Sequence, residues 1–364
     1  MAIKGELNNN NIVIPQIQKA KIFSSHKHVK ELKLEDFKVL KNIGNSNFGK
    51  VFLVKYLPTH ELYVMKSLKK DIFMKQQQIE NTLLKKEILE SIYYPFIFNI
   101  IFIIETEERI YFIMEFLSGG DLNQNLRKFR TFEEDKVRVY GVQIALALEY
   151  LYKYGIVYIV YGELKLKNIL IDDKGYLKLV YFDIFKKSKN EDLNNGFYDI
   201  QEYLAPEVIK EENFGKEADW WSFGTLLFEM LCGLPPFYEK HYEISNNNLV
   251  KFPKKLNLSD DAKDIINKLL DNNPKKRLGS QNGIEEIKTH PFFANIDFDL
   301  IEKKKIPSPY IPDLVNDIDE ENLPIDIDVE NLSNDIDVEN LSDDIDVENL
   351  NAEFKMKLNK YYIY

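Results

Sequence analysis

The chain has 364 residues, 45% hydrophobic and 13% aromatic, enough to bury one large two-lobed core or two smaller domains. Its formal charge of -11 is local: residues 313–348 hold fifteen acidic side chains and no Lys or Arg, so a near-neutral body carries an acidic tail. That distribution argues against nucleic acid or an anionic membrane surface as partner, and no apolar run reaches the ~18 residues of a membrane span. The opening MAIKGELNNN lacks a signal-peptide core and a glycine after Met1, so a cytoplasmic location is expected. Cys232 is the single cysteine; it has no internal disulfide partner, and its setting in MLCGLPPF predicts buried packing.

Residues 1–36 are rich in Asn and Lys and read as a flexible extension with a short helix near Ile17 to Phe23. From Phe37 the pattern is strand-like: KVLKNIG, KVFLVKYL and ELYVMKSL, separated by turn signals, predict an antiparallel meander. A helical stretch follows at Ile79 to Ser91. Two further apolar runs, NIIFIIE and IYFIMEFL, complete a sheet of about five strands. Beyond Gly119-Gly120 the periodicity is read as helical up to Phe293, through VRVYGVQIALALEYLYKY, DWWSFGTLLFEMLCGL and DDAKDIINKLL. The fold class is therefore α+β and bilobal, with a small sheet-rich lobe over 37–114, a larger helical lobe over 119–293 and a ligand cleft at their junction. Residues 316–351 are four acidic nonapeptides, NDIDEENLP, IDIDVENLS, NDIDVENLS and DDIDVENLN, ahead of a tail at 352–364. A stacked solenoid and calcium binding through Asp-x-Asp-x-Glu are the alternatives to solvated disorder; the missing turn glycine and the little surface four units bury favour disorder.

The motifs arrive in a specific order. Gly44-Asn-Ser46-Asn-Phe48-Gly49-Lys-Val51 is a glycine-rich turn between strands, and fifteen residues after Val51, Tyr63-Val64-Met65-Lys66 puts a lysine on the third strand. There follow Met114-Glu115-Phe116-Leu117, Gly119-Gly120-Asp121, Leu164-Lys165-Leu-Lys-Asn168-Ile-Leu170, Leu204-Ala205-Pro206-Glu207, Asp219-Trp220-Trp221-Ser222-Phe223-Gly224 and Lys276-Arg277-Leu278-Gly279. Over Phe37 to Pro312 this series resembles the protein kinase domain of the AGC group, closest to the catalytic subunit of cyclic-AMP-dependent protein kinase. Residues 294–315, with PSPYIP, resemble the C-terminal extension of that group.

The resemblance implies ATP as cofactor, held by Gly44, Ser46, Gly49, Val51, Val64, Lys66, Glu115, Leu117, Asp121 and Leu170. It implies Glu163, Lys165 and Asn168 as catalytic residues, Asn168 also as a metal ligand, and Glu202 and Glu229 as contacts to a protein substrate. Glu207 with Arg277 matches the family's buried ion pair. Leu89, Ile100, Tyr161 and Phe182, anchored by Asp219, match its apolar stack.

Several charges that the family uses are replaced. After LKLV the metal-binding Asp is Tyr181, followed by Phe182 and Asp183. A phenol is a poor ligand for a hard cation, and Asp183 lies about 6.6 Å further along an extended chain. Lys85 stands where the family places the glutamate that pairs with Lys66. Glu163 replaces the catalytic Asp, Gly162 the preceding arginine, Gly196 the phosphosite, and Ile200 the threonine near the catalytic loop. Ser46 replaces the middle glycine, Val64 adds two methyl groups above the adenine ring, and Lys167 reverses the sign of a substrate-reading acid. The repeat Ile156-Val157-Tyr158 / Ile159-Val160-Tyr161 is a three-residue insertion beside the catalytic loop, and the shortened Tyr238–Lys251 argues against docking of a regulatory subunit.

These losses predict weak or absent ATP binding and little magnesium binding. The leading expectation is a catalytically impaired kinase homologue that acts as a binding or scaffold module on a protein partner. The alternatives are an active Ser/Thr kinase with atypical metal handling and the product of a decaying gene copy.

Overall fold

The computed structural model describes residues 32–46, 49–70, 92–154, 156, 164–180, 201–210, 212, 214–237 and 250–312. The expectations for residues 1–31, the helix at 79–91, Tyr161 to Glu163, Tyr181 to Ile200, most of Tyr238–Lys251, and the repeats lie outside the described residues.

The small lobe is a five-stranded antiparallel sheet of β1 (Phe37–Ser46), β2 (Gly49–Tyr56), β3 (Leu62–Lys69), β4 (Ile100–Glu105) and β5 (Arg109–Glu115), in the order β1-β2-β3-β5-β4. Period-two alternation explains its two faces. On one, Phe37, Val39, Phe52, Val54, Met65, Tyr111 and Ile113 form a separate small core. On the other, Val64, Leu68, Phe112 and Met114 join the main core, with Val51 packed against it. Register pairs Val51 with Lys66, Leu53 with Val64, and Val64 with Met114, so Val51, Val64 and Lys66 share the face turned to the large lobe.

The large lobe is built on α1 (Leu122–Phe129), α2 (Glu134–Lys153), α3 (Pro206–Ile209), α4 (Lys216–Cys232), α5 (Asp260–Leu269), α6 (Ile284–Lys288) and α7 (Phe298–Glu302). Helix α4 is buried from Ala218 to Leu231, as a helix apolar on all sides must be, and packs against α2 and α5. Helix α2 opens with Glu134 and Asp135 and closes with Lys153, matching its dipole. Ser259 caps α5 by accepting from the Ala262 amide at 3.1 Å.

Two expectations are corrected. The region after Gly120 is not helical throughout: β6 (Ile169–Ile171) and β7 (Leu177–Leu179) form an antiparallel hairpin. Three-residue apolar runs around a turn are too short to nucleate helix, and Gly175 takes φ +84 in that turn. The hairpin ties the lobes together, because the Leu179 amide donates to Phe96 and the Phe98 amide to Leu179, at 2.9 and 3.0 Å. Cys232 is half-buried rather than buried, and burial still pushes its thiol up to about 12. Among the described residues, no helix is long and apolar enough to cross a membrane.

Candidate nucleotide and substrate site

The sheet face turned to the large lobe carries Val51, Val64 and Lys66. Gly49 sits where β2 begins, and a Cβ there would stand 1.8 Å from the Ser67 carbonyl oxygen, so only glycine fits the approach of β2 to β3. Val64 is 2% exposed between Leu53 and Met114, while Val51 and Lys66 are half-buried beside it. Gly44 and Ser46 lie on β1, opposite Val51 and Gly49.

At the crossing between lobes the structure adds a network that sequence motifs did not flag. Glu115 engages its carboxylate within the protein: Oε1 accepts from the Asn99 amide at 2.8 Å, from Asn99 Nδ2 at 3.1 Å and from Lys178 Nζ at 2.9 Å. Lys178, on β7, is 5% exposed; burial lowers its pKa, and Glu115 opposes that. Glu115 is the last residue of β5. Leu117, buried, follows it.

Asp121 stands at the start of α1, where Oδ1 accepts from the Gln124 amide at 2.7 Å. Burial raises its carboxyl to about 6, against the pull of the amide hydrogen bonds of Gln124. Leu170, buried on β6, bridges back to Asp121 and floors the same region. Lys165 precedes the short turn Leu166–Asn168 and Asn168 ends it; the Asn168 amide donates to the Lys165 carbonyl, and the Asn168 carbonyl accepts from the Val180 amide, at 2.9 and 3.0 Å. The strand that leads to Tyr181 is thus pinned to the turn carrying Asn168. Glu163 lies outside the described residues.

On the substrate side, Glu229 of α4 is 6% exposed and accepts a short hydrogen bond from the Tyr203 hydroxyl. Burial pushes its carboxyl up to about 7; Tyr203 opposes this and neighbouring Glu202 adds to it. Ser222 holds the same tyrosine by donating to its carbonyl at 2.8 Å.

The scaffold below is intact. Arg277, fully buried, donates to both oxygens of Glu207 at 2.6 and 3.0 Å and to the Glu217 carbonyl at 2.7 Å. Such a fork-to-fork pair satisfies two buried charges at once. Asp219 is fully buried and accepts from the Tyr152 hydroxyl at 3.1 Å.

The sequence-expected metal ligands are only partly within the described residues. Among the described residues no group of three or more His, Cys, Asp or Glu side chains could hold a metal, and Asn168 is the one described member of the expected ligand pair. The other position is Tyr181 in the sequence, against a cation that demands near-octahedral oxygen ligation. Gly49 opens β2, and Val64 and Lys66 share the sheet face turned to the large lobe.

A sheet lobe over a helical lobe, with a glycine-rich turn, a β3 lysine and a Glu207–Arg277 pair, defines a protein kinase domain, and the sequence pattern of that domain matches residues 37–293. The chain belongs to the protein kinase family. Its sequence is similar to serine/threonine kinases of the RAC and SGK type. The RAC serine/threonine-protein kinase of Drosophila melanogaster is 38% identical over 301 residues, 80% of this chain and 48% of the relative. The RAC family serine/threonine-protein kinase homolog of Dictyostelium discoideum is 38% identical over 79% of this chain and 64% of its own length. Serine/threonine-protein kinase sgk-1 of Caenorhabditis elegans is 35% identical, with 79% and 62% covered. The chain spans from about half to under two thirds of these relatives. The likeness to the cyclic-AMP-dependent kinase rests on the motifs alone.

Proposed function

We propose that this kinase domain is catalytically impaired and acts by binding a protein partner as a scaffold or docking module. The observation that carries the reading is Tyr181: the strand Leu177–Leu179 runs on through Val180 to a phenol where the family places its metal carboxylate. Phosphoryl transfer asks the protein mainly for positioned charge, so loss of that charge weighs more than loss of any packing residue. Lys85 and Gly162 remove two further charges of the same machinery, whereas the uncharged framework and the Glu207–Arg277 pair are kept. ATP binding is expected to be weak, with magnesium adding little.

An active Ser/Thr kinase is the second reading, favoured by the retained Lys66, Lys165 and Asn168. Incubation of the purified chain with ATP, magnesium and a basic peptide separates the two. Turnover at background level supports the proposal, and a rate within about tenfold of the usual 1–100 s⁻¹ overturns it. Tyr181→Asp alone is expected to restore nothing, because residues that act as a unit are not additive.

A further inference from the structure

The segment after α7 is not a loose end. Lys304 Nζ pairs with Asp172 at 2.9 Å, and the Tyr176 hydroxyl donates to the carbonyls of Lys304 and Ile306 at 3.1 and 3.0 Å. Ser308 then plugs into the β6–β7 turn: its hydroxyl donates to the Gly175 carbonyl at 2.6 Å and lies 3.0 Å from the Tyr310 carbonyl. Two residues on, Tyr310 packs edge-on against Phe129 at 5.4 Å. The Lys136 ammonium fills the space among these rings, 3.9 Å from the centroid of Phe132, 4.6 Å from Tyr310 and 4.7 Å from Phe129.

Two features of Ser308 point the same way. It precedes Pro309, and this is the single Ser-Pro or Thr-Pro step in the whole chain. The contact it makes is also too close for anything larger than a hydroxyl. A Cβ on Gly175 would already meet the Tyr310 carbonyl oxygen at 1.7 Å and Ser308 Oγ at 2.7 Å. A phosphate needs room for four heavy atoms, carries about -1.5 to -2 charge near pH 7, and has lost the proton that Ser308 donates. Against two carbonyl oxygens it is repelled where the hydroxyl was held.

We propose that Ser308 is a modification site for a proline-directed Ser/Thr kinase, and that its phosphorylation releases the 303–312 segment from the β6–β7 turn. In that reaction the Ser308 oxygen attacks the γ-phosphorus of a nucleoside triphosphate held by the modifying enzyme. The new O–P bond replaces the bond to the β-phosphate, the diphosphate leaves, and the hydroxyl proton passes to that enzyme's base. The docked state shields the hydroxyl, so transfer occurs from the transiently open segment and the phosphate then blocks reclosure. Release would loosen the hairpin that carries Leu170 and Lys178. The inference is independent of whether this chain transfers phosphate itself.

The test treats the full chain, its Ser308→Ala variant and a peptide of residues 302–312 with a proline-directed kinase and ATP. Mass spectrometry maps the phosphate, and amide hydrogen exchange follows 304–312. One phosphate on Ser308 is expected in the chain and the peptide, and none at that site in the variant. Exchange of the Tyr310 amide, which donates to Ser308 Oγ, and of the Lys304 and Lys305 amides should speed up by about tenfold or more as the segment opens more readily. The proposal falls if the peptide is modified and the chain is not. It falls equally if the phosphorylated chain exchanges at an unchanged or slower rate, since Lys136 and Lys304 would then be gathering the phosphate in place.

Discussion

Glu229 offers a test of how the large lobe stores an acid. Its carboxyl is buried against Tyr203 and titrates at about 7 instead of 4.5, chiefly because burial disfavours the charged form. A folded-state value above the unfolded one means that its contribution to stability is fully present below about 4.5 and is lost as pH rises through about 7. At 1.36 kcal/mol per pH unit the loss approaches about 3 kcal/mol. Glu229→Gln keeps an acceptor for the Tyr203 hydroxyl and cannot ionise. The variant should therefore match the parent near pH 4.5 and become progressively more stable than it up to pH 7.5, with a flat difference beyond. For a domain of this size the plateau corresponds to roughly 6–12 °C in melting temperature. Paired thermal or urea unfolding from pH 4.5 to 8.5 reads it directly, since other carboxylates cancel in the difference. A constant gap, or a parent that gains on the variant above pH 7, would refute the burial argument.

Arg277→Met strands the buried Glu207 charge and is expected to cost about 3–5 kcal/mol in urea unfolding; a loss below about 1 kcal/mol would show that Glu207 finds another partner. Ending the chain after Pro312 removes the acidic repeats, whose composition cannot bury enough apolar surface to offset ordering, and should leave the melting temperature nearly unchanged. A fall of about ten degrees would contradict that reading. Val64→Ala opens the slot between Leu53 and Met114 and should tighten ATP binding in a competition assay if crowding is the main defect; unchanged affinity would assign the defect to the missing charges.

The sheet was largely legible because alternation sorts Val64 and Lys66 from Met65, and the two faces bury different clusters. That Val51, Val64 and Lys66 share one face followed from that register. The β6–β7 hairpin was not legible: three-residue strands give no period to read. Lys178 was missed for a related reason. In Leu177-Lys178-Leu179 the alternation reads as an exposed lysine, and only the fold brings Glu115, 63 residues away in sequence, within 2.9 Å. Local spacing gave no sign of the Lys136 ring cluster either, because Tyr310 comes to it from the far end of the domain. The Glu207–Arg277 pair was anticipated from family resemblance and has no local signature of its own.

The central claim is that the metal no longer couples to the nucleotide, and thermal shift of the full chain with ATP alone and with ATP plus magnesium tests it most directly. Binding stabilises by RT ln(1 + [L]/Kd), about 2.7 kcal/mol at a hundredfold excess over Kd, so a working site cannot escape detection at millimolar ATP. The account predicts a small shift or none with ATP, and no further rise with magnesium. A rise of several degrees that appears only when magnesium is present would contradict it.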